Sequence, residues 1–416
     1  MDLDKMLFLQ IVNEAMYPND EIYKKYDEAD WETLFRVSRN NCMEAFVYKV
    51  VQKLSLEYAI SIKLVKFWKI AAMTCQMHEF EKHRILRTLL KEAEKQEVIL
   101  VIFKGLVIAD LYPNYSYRFS SDTDIFVYES DKEKVIQLFE SFGFKKDEQY
   151  SKAMVGTYVY PEFQYVVELH FSLFEDYKGA RINKLNNLDL TKKGTLLSIQ
   201  ACGMEVTTLG YEEHLIYQMF HIIKHFSLQG VGVRYLVDIT YYINNYIEKI
   251  DIESFWRKMD YLDYTTFCRI FFKICIDYFD MDQTIMADRN VADVEGLSEF
   301  LLDIINVGTI YDEKDAAWQI LGIMTPYFTG EDRIPKTNFG IKMKVLFPSS
   351  KALPINYAYA KKCKLLLPVA WSHKFINFTI KRHNHKGDWY EAGEKLAVAQ
   401  HRLNLMKSLG LMDGGK

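Results

Sequence analysis

The chain is predicted to be an α+β protein, a small mixed β-sheet set between helical N-terminal and C-terminal regions. Three observations predict it. Val98-Ile-Leu-Val-Ile-Phe103 is a short β-branched run of the kind that forms a buried strand. Asp122-Thr-Asp-Ile-Phe-Val127 and Val166-Val-Glu-Leu-His-Phe171 are two further strand-like runs that carry acidic residues. On either side lie long stretches with helical apolar spacing and almost no Gly or Pro.

The elements follow in order. Met43 to Leu54 has helical spacing, and Leu56 to Gln96 contains neither Gly nor Pro, with a charged amphipathic second half. Lys104-Gly105 ends the first strand, and helical spacing resumes from Leu106 to Tyr112 until Pro113 stops it. A helix is expected from Asp131 to Phe142, closed by Gly143, and then strands at Gly156–Tyr160 and Tyr165–Phe171. Within the ambiguous stretch Leu188–Thr208, Met204–Thr208 reads as an edge strand. Helices return at Glu212–Leu228, Gly232–Ile247, Ile252–Met259, Thr265–Phe279 and Leu297–Val307, and a long one is expected at Asp388–Leu409. These elements divide into four regions: helical 1–96, a sheet-containing core 97–210, helical 211–332, and a basic subdomain 333–416 ending in a helix.

Composition narrows the class. With 416 residues the chain is long enough for more than one domain, and 28 Tyr with 27 Phe argue against long disordered tracts. The longest apolar candidate for a span, Leu365–Trp371, is too short and contains Pro368, so no transmembrane segment is expected. The start, Met1-Asp-Leu-Asp-Lys-Met, lacks a signal-peptide pattern, and the six cysteines include no Cys-x-x-Cys. Both point to a cytoplasmic protein with reduced thiols. Cys268 and Cys275, seven apart on one helix, are expected on a shared core face. Twelve Lys or Arg and no Asp or Glu occur from Arg333 to Gly387. That stretch either faces a polyanion or packs as a basic subdomain on an acidic body.

Chemistry concentrates in the acidic strands. If Thr123, Ile125 and Val127 face the core, period-2 geometry sends Asp122 and Asp124 to the opposite, open face. Their Cα atoms then lie about 6.5–7 Å apart, a spacing that can bracket two cations roughly 3.5–4 Å apart. By the same rule Glu168 and His170 share the open face of their strand. An isolated Asp-x-Asp is commonly only a solvated strand face. Its position after a strand–Gly–helix unit and before a second acidic strand is what gives it weight.

This ordering resembles the polymerase-beta-like nucleotidyltransferase fold, and more closely the family of uncharacterised bacterial nucleotidyltransferases. The matching residues are Lys104-Gly105, Leu111-Tyr-Pro113, Arg118, Asp122-Thr-Asp124 and Glu168-Leu-His170. The likeness extends to His221-Ile-Ile-Lys-His225, Val233-Arg-Tyr-Leu-Val-Asp238, Leu346-Phe-Pro-Ser349 and Leu367-Pro-Val-Ala-Trp371. Two departures stand out. Leu106 follows Gly105 where the superfamily has Gly-Ser or Gly-Gly, and Thr123 sits between the aspartates.

The resemblance implies a nucleotidyltransferase core and an enzyme that moves a nucleoside monophosphate from a nucleoside triphosphate to an acceptor hydroxyl. Asp122, Asp124 and Glu168 would be the catalytic and metal-binding carboxylates for two Mg²⁺ (or Mn²⁺) ions. Glu168 would take the proton from the attacking hydroxyl. Lys104, Gly105 and Arg118 would bind the nucleotide, with the alternative that Arg118 is a surface arginine paired to Asp122 or Glu129. A small molecule or a glycan is the favoured acceptor. Nucleic acid is a second reading, carried by the basic stretch and its interleaved aromatics, which serve equally well as a subdomain core. An inactive nucleotide-binding or protein-interaction scaffold is a third.

Weaker motifs resolve to structure or fail. His221 and His225 have i, i+4 spacing but no glutamate after the first histidine, so a metalloprotease signature is absent. With Arg234 and His170 they read as a cleft-lining set, and Asp238 as a residue that fixes Arg234 or a helix. Gly230-Val-Gly232 lacks the third glycine of a dinucleotide loop, and no P-loop or nucleophile elbow occurs.

Overall fold

The computed structural model describes residues 2–18, 26–151, 154–174, 180–228, 230–289, 296–306 and 401–411, with scattered positions between 347 and 376. Most of the Arg333–Gly387 stretch and residues 388–400 of the expected last helix lie outside the described residues, while 401–408 are helical.

Four helices come first: α1 (Leu3–Met16), α2 (Trp31–Asn40), α3 (Glu44–Leu54) and α4 (Ile62–Lys95). Asp30 caps α2, its side chain accepting from the Glu32 and Thr33 amides that a helix start leaves unpaired. The sheet unit follows as β1 (Leu100–Phe103), α5 (Gly105–Ala109), β2 (Asp122–Val127), α6 (Lys132–Ser141), β3 (Lys145–Lys146), β4 (Val155–Tyr160), β5 (Tyr165–His170), α7 (Ala180–Asn186), β6 (Leu197–Ala201) and β7 (Met204–Thr208). Helices α8 (Tyr211–Leu228), α9 (Val233–Tyr246), α10 (Ile252–Tyr261), α11 (Thr265–Phe279) and α12 (Leu297–Ile305) complete the order.

The fold is therefore α+β, with a seven-stranded mixed sheet in the order β3-β4-β5-β2-β1-β7-β6. β2 runs antiparallel to β1 and parallel to β5. Met204–Thr208, expected at an edge, instead lies inside the sheet between β1 and β6, and β6 forms the edge. The edge reading failed because a parallel β1–β7 pairing spans more than a hundred residues and leaves no local sequence trace.

Strand alternation divides the core. Ile102, Ile125, Val127, Val167 and Leu169 pack with Leu86 and Leu89 of α4 and Val135 and Leu138 of α6 in one cluster. Val101, Phe103 and Phe126 point the other way, into a second cluster built with α8, α9, α11 and the N-terminal helices. The face that carries Asp122 and Asp124 is thus roofed by helices rather than open. Asp124 is only 5% exposed, which corrects the expectation of a solvent-facing strand. Cys268 and Cys275 are both fully buried in the second cluster, on the shared face expected.

One buried ion pair ties the sheet unit to the helical roof. Arg118 Nε and Nη2 each donate to Asp238 of α9 at 2.8 Å, and the Tyr112 hydroxyl donates to the same carboxylate at 2.8 Å. Arg118 is therefore not a surface residue paired with Asp122 or Glu129. Asp238 holds Arg118 rather than Arg234, whose Nη1 donates to the Phe119 carbonyl at 2.6 Å. Removing one member of a buried pair strands the other charge without water, at a cost of about 3–5 kcal/mol. Asp238→Ala is expected to lower unfolding free energy by that amount in urea titrations followed by circular dichroism. A loss under about 1 kcal/mol, the range of exposed pairs, would show that the pair does not hold the roof.

Candidate functional site

The site starts at the end of β1. Lys104 has φ 58° and ψ −113°, a conformation that favours glycine and costs a side-chain-bearing residue about 1–3 kcal/mol. Two contacts hold it there. Its amide donates to His214 Nε2 of α8 at 2.8 Å, and its ammonium donates to Asp124 Oδ1 at 2.8 Å. Accepting that amide proton fixes His214 as the Nδ1–H tautomer. Burial favours the neutral amine of Lys104, but Asp124, Tyr217 and Asp122 outweigh it and hold the pKa above its ordinary value.

β2 and β5 supply the acids. Their parallel register sets Asp124 beside Glu168 and Asp122 beside Val166. His170, two residues on from Glu168 and on the same strand face, brings Nε2 to 2.9 Å from Asp124 Oδ1 and 3.5 Å from Glu168 Oε2. Ligating atoms of Asp124, Glu168 and His170 lie within 4.8 Å of one another. Burial raises the pKa of Asp122, and the neighbouring charges of Asp124 and Glu168 raise it further against Lys104 and Lys82. Burial also acts to raise Asp124, but Lys104 and His170 outweigh it and hold that carboxyl below its usual range. Crowded carboxylates with one imidazole nitrogen at their edge suit a divalent cation, whose charge would relieve their repulsion.

Above the acids lies a cleft of about 130 Å³. Lys104, Gly105, Arg118, Asp122 and Asp124 line its floor, and His221, His225, Arg234 and Tyr235 line its roof. Lys104, Gly105, Arg118, Asp122 and Asp124 thus share one concavity with His221, His225 and Arg234, whereas His170, expected to line the cleft with them, does not. Glu168 and His170 are not in its lining; they gather beside Asp124, on the side away from β1. The Arg118 Nη1 is buried without a hydrogen-bond partner, although Asp238 occupies the rest of its guanidinium. His221 and His225 approach to 2.9 Å between their Nε2 atoms, and burial pushes His221 far below the ordinary histidine range.

Sequence reasoning missed the support beneath Asp122. Glu79 and Lys82, both buried on α4, grip Ser120 from two sides. Glu79 Oε1 accepts from the Ser120 amide at 2.8 Å, while the Lys82 ammonium donates to the Ser120 carbonyl at 2.7 Å and to its hydroxyl at 2.8 Å. A methyl group added at Gly105 would meet Ser120 Oγ at 3.5 Å and Arg118 Nη1 at 3.4 Å. Ser120 and Ser121 line the cleft beside the Gly105-Leu106 turn, which has no hydroxyl of its own. The signal available was Ser120-Ser121 directly before Asp122; nothing in the sequence pointed to Glu79 or Lys82.

Several histidines are held neutral. Burial, with Lys82 and Arg87 adding to it against Glu79, pushes His83 down to about 4, and burial with Lys104 pushes His214 down to about 3. Both folded values lie below the ordinary 6.5, so the unfolded chain binds protons that the fold refuses. Their stabilising contribution is complete above about pH 6.5 and declines as pH falls toward 4, each histidine adding a slope of roughly 1.4 kcal/mol per pH unit. Urea midpoints measured between these limits are expected to fall steadily with acid, less steeply in His214→Gln. A level profile would refute the neutral assignment.

A model of the uncharacterised nucleotidyltransferase family matches residues 27–280, more than half of the chain. No curated protein and no solved structure matched the chain. That span runs from the approach to α2, through the acids of β2 and β5 and the roof of α8 and α9, to the end of α11. Sheet, acids and roof fall together inside it, and the chain belongs to the uncharacterised nucleotidyltransferase family.

Proposed function

We propose that this protein transfers a nucleoside monophosphate from a nucleoside triphosphate to the hydroxyl of a small molecule or glycan, releasing pyrophosphate. The observation that carries the reading is the β2–β5 register, with Asp124 beside Glu168 and Asp122 one period earlier on the same strand face. Asp122, Asp124 and Glu168 would hold divalent cations, Mg²⁺ or Mn²⁺, with His170 Nε2 close enough to join them. When bound, such ions neutralise phosphate charge and polarise the phosphoryl oxygens.

The chain's own groups account for the remaining roles. The triphosphate lies in the cleft against Lys104, the free Nη1 of Arg118 and Arg234, three cations that oppose its negative charge. Glu168, half exposed beside the acids, accepts the proton of the attacking hydroxyl. The acceptor oxygen bonds to the α-phosphorus as the bond from that phosphorus to the β-phosphate oxygen breaks, and pyrophosphate carries away the electron pair. Helical cover over Asp124 excludes water, which strengthens each of these electrostatic contacts. A scaffold role is the weaker reading, because an idle site has no use for carboxylates whose mutual repulsion works against folding.

Two measurements test the reading. Radiolabelled triphosphates offered with a panel of sugar and small-molecule hydroxyl acceptors are expected to give label transfer with pyrophosphate release. Asp122→Asn, Asp124→Asn and Glu168→Gln each lower that rate by about 10²–10⁴-fold while circular dichroism stays native. Lys104→Met lowers it by about 10²–10³-fold. Calorimetry should show Mn²⁺-dependent triphosphate binding that Asp124→Asn abolishes. Triphosphate binding that is indifferent to Mn²⁺ and to all three carboxylate variants would leave only the scaffold.

A further inference from the structure

Helix α4 is apolar on two opposite sides. Its inner side, with Trp68, Ala72, Cys75, Leu86 and Leu89, packs on the body of the protein. Its outer side carries Ile62, Phe67, Ile70, Met73, Met77 and Phe80, which are 50–75% exposed. At 100° per residue these six side chains cover an arc of about 140° over a length of about 27 Å. Isolated exposed apolar residues need no explanation, but a contiguous row of this kind marks a binding surface.

The charge around the row is one-sided. No Asp or Glu occurs between Glu57 and Glu79, whereas Lys63, Lys66 and Lys69 are exposed within the row; at its far end Arg84 is paired with Glu81 at 2.8 Å. Parallel self-association is disfavoured by that pattern. A parallel pairing of two copies would stack each lysine on its equivalent. The arc is also wider than the narrow seam that a single partner helix covers. A broad, convex, basic and apolar helix face fits a planar anionic surface, with lysine ammonium groups at headgroup level and Phe, Ile and Met below them. No described helix is long and apolar enough to cross a membrane, so such contact is peripheral.

We infer that the outer face of α4 docks this protein on membranes rich in anionic phospholipid. The face lies on the opposite side of α4 from Glu79 and Lys82, the residues that grip the segment before Asp122, so docking leaves the cleft supported.

Flotation of the full-length protein with phosphatidylcholine vesicles, with and without phosphatidylglycerol, tests this. The protein is expected to float only with the anionic vesicles. Met73→Glu/Met77→Glu should abolish flotation, and Lys63→Gln/Lys66→Gln/Lys69→Gln should weaken partitioning about 100-fold. All substituted positions are exposed, and circular dichroism of each variant verifies folding. Three results would overturn the inference. The first is no flotation by the wild type, and the second is equal flotation with both vesicle types. The third is flotation unchanged by the methionine variant, which would place any lipid contact elsewhere in the chain. If sedimentation finds a wild-type dimer that the methionine variant splits, without vesicle binding, the face joins two copies and the lipid assignment is wrong.

Discussion

The parallel pairing of β2 with β5 is the constraint on which the site depends. Because the register sets Asp124 opposite Glu168, one strand face carries Asp122, Asp124, Glu168 and His170 together. A slip of one residue would turn Glu168 and His170 into the cluster that contains Ile125, Val127 and Leu169, where a carboxylate has no partner. Leu169 and Val167 therefore do more than fill space. By anchoring one face of β5 in the core they hold its polar side chains to the other.

The charges so gathered repel one another, and the surrounding structure is arranged around that cost. Lys104 reaches into the acids from a backbone conformation that disfavours a side chain, and His214 holds its amide in place. Lys82 and Glu79 fix Ser120 just before β2, while Arg118 joins the sheet unit to α9 through Asp238. Local strain and buried charge are concentrated where the chemistry is proposed, and the apolar clusters on both sheet faces offset them.

The roles of the helical regions separate along α4. Its C-terminal half packs Leu86 and Leu89 under the sheet, and its middle supports the segment before Asp122. Its N-terminal half shows an apolar, lysine-studded row outward. One long helix thus links a candidate surface of contact with the outside to the support of the cleft.

Short-range patterns were enough to read five of the seven strands (not β3 or β6) and the helices other than α7, the spacing of Asp122 and Asp124 and the placing of Glu168 with His170 on one face, because each follows from periods of two or 3.6 residues. The same local signals ended the first strand at Lys104-Gly105, while the grouping of His221, His225 and Arg234 rested on the family resemblance. What they could not supply was partner choice. That β7 lies inside the sheet, that Asp238 takes Arg118 rather than Arg234, and that Glu79 and Lys82 serve Asp122 all join residues from about 40 to 120 positions apart. Composition also could not say which apolar residues of α4 would be buried, since Ile70 and Leu86 are alike until a neighbour covers one of them. The sequence by itself determined the inventory of reactive groups and their local facing. Only tertiary packing decided which charges meet and which are sheltered from water, because burial and ion pairing belong to contacts that do not exist until the chain has closed.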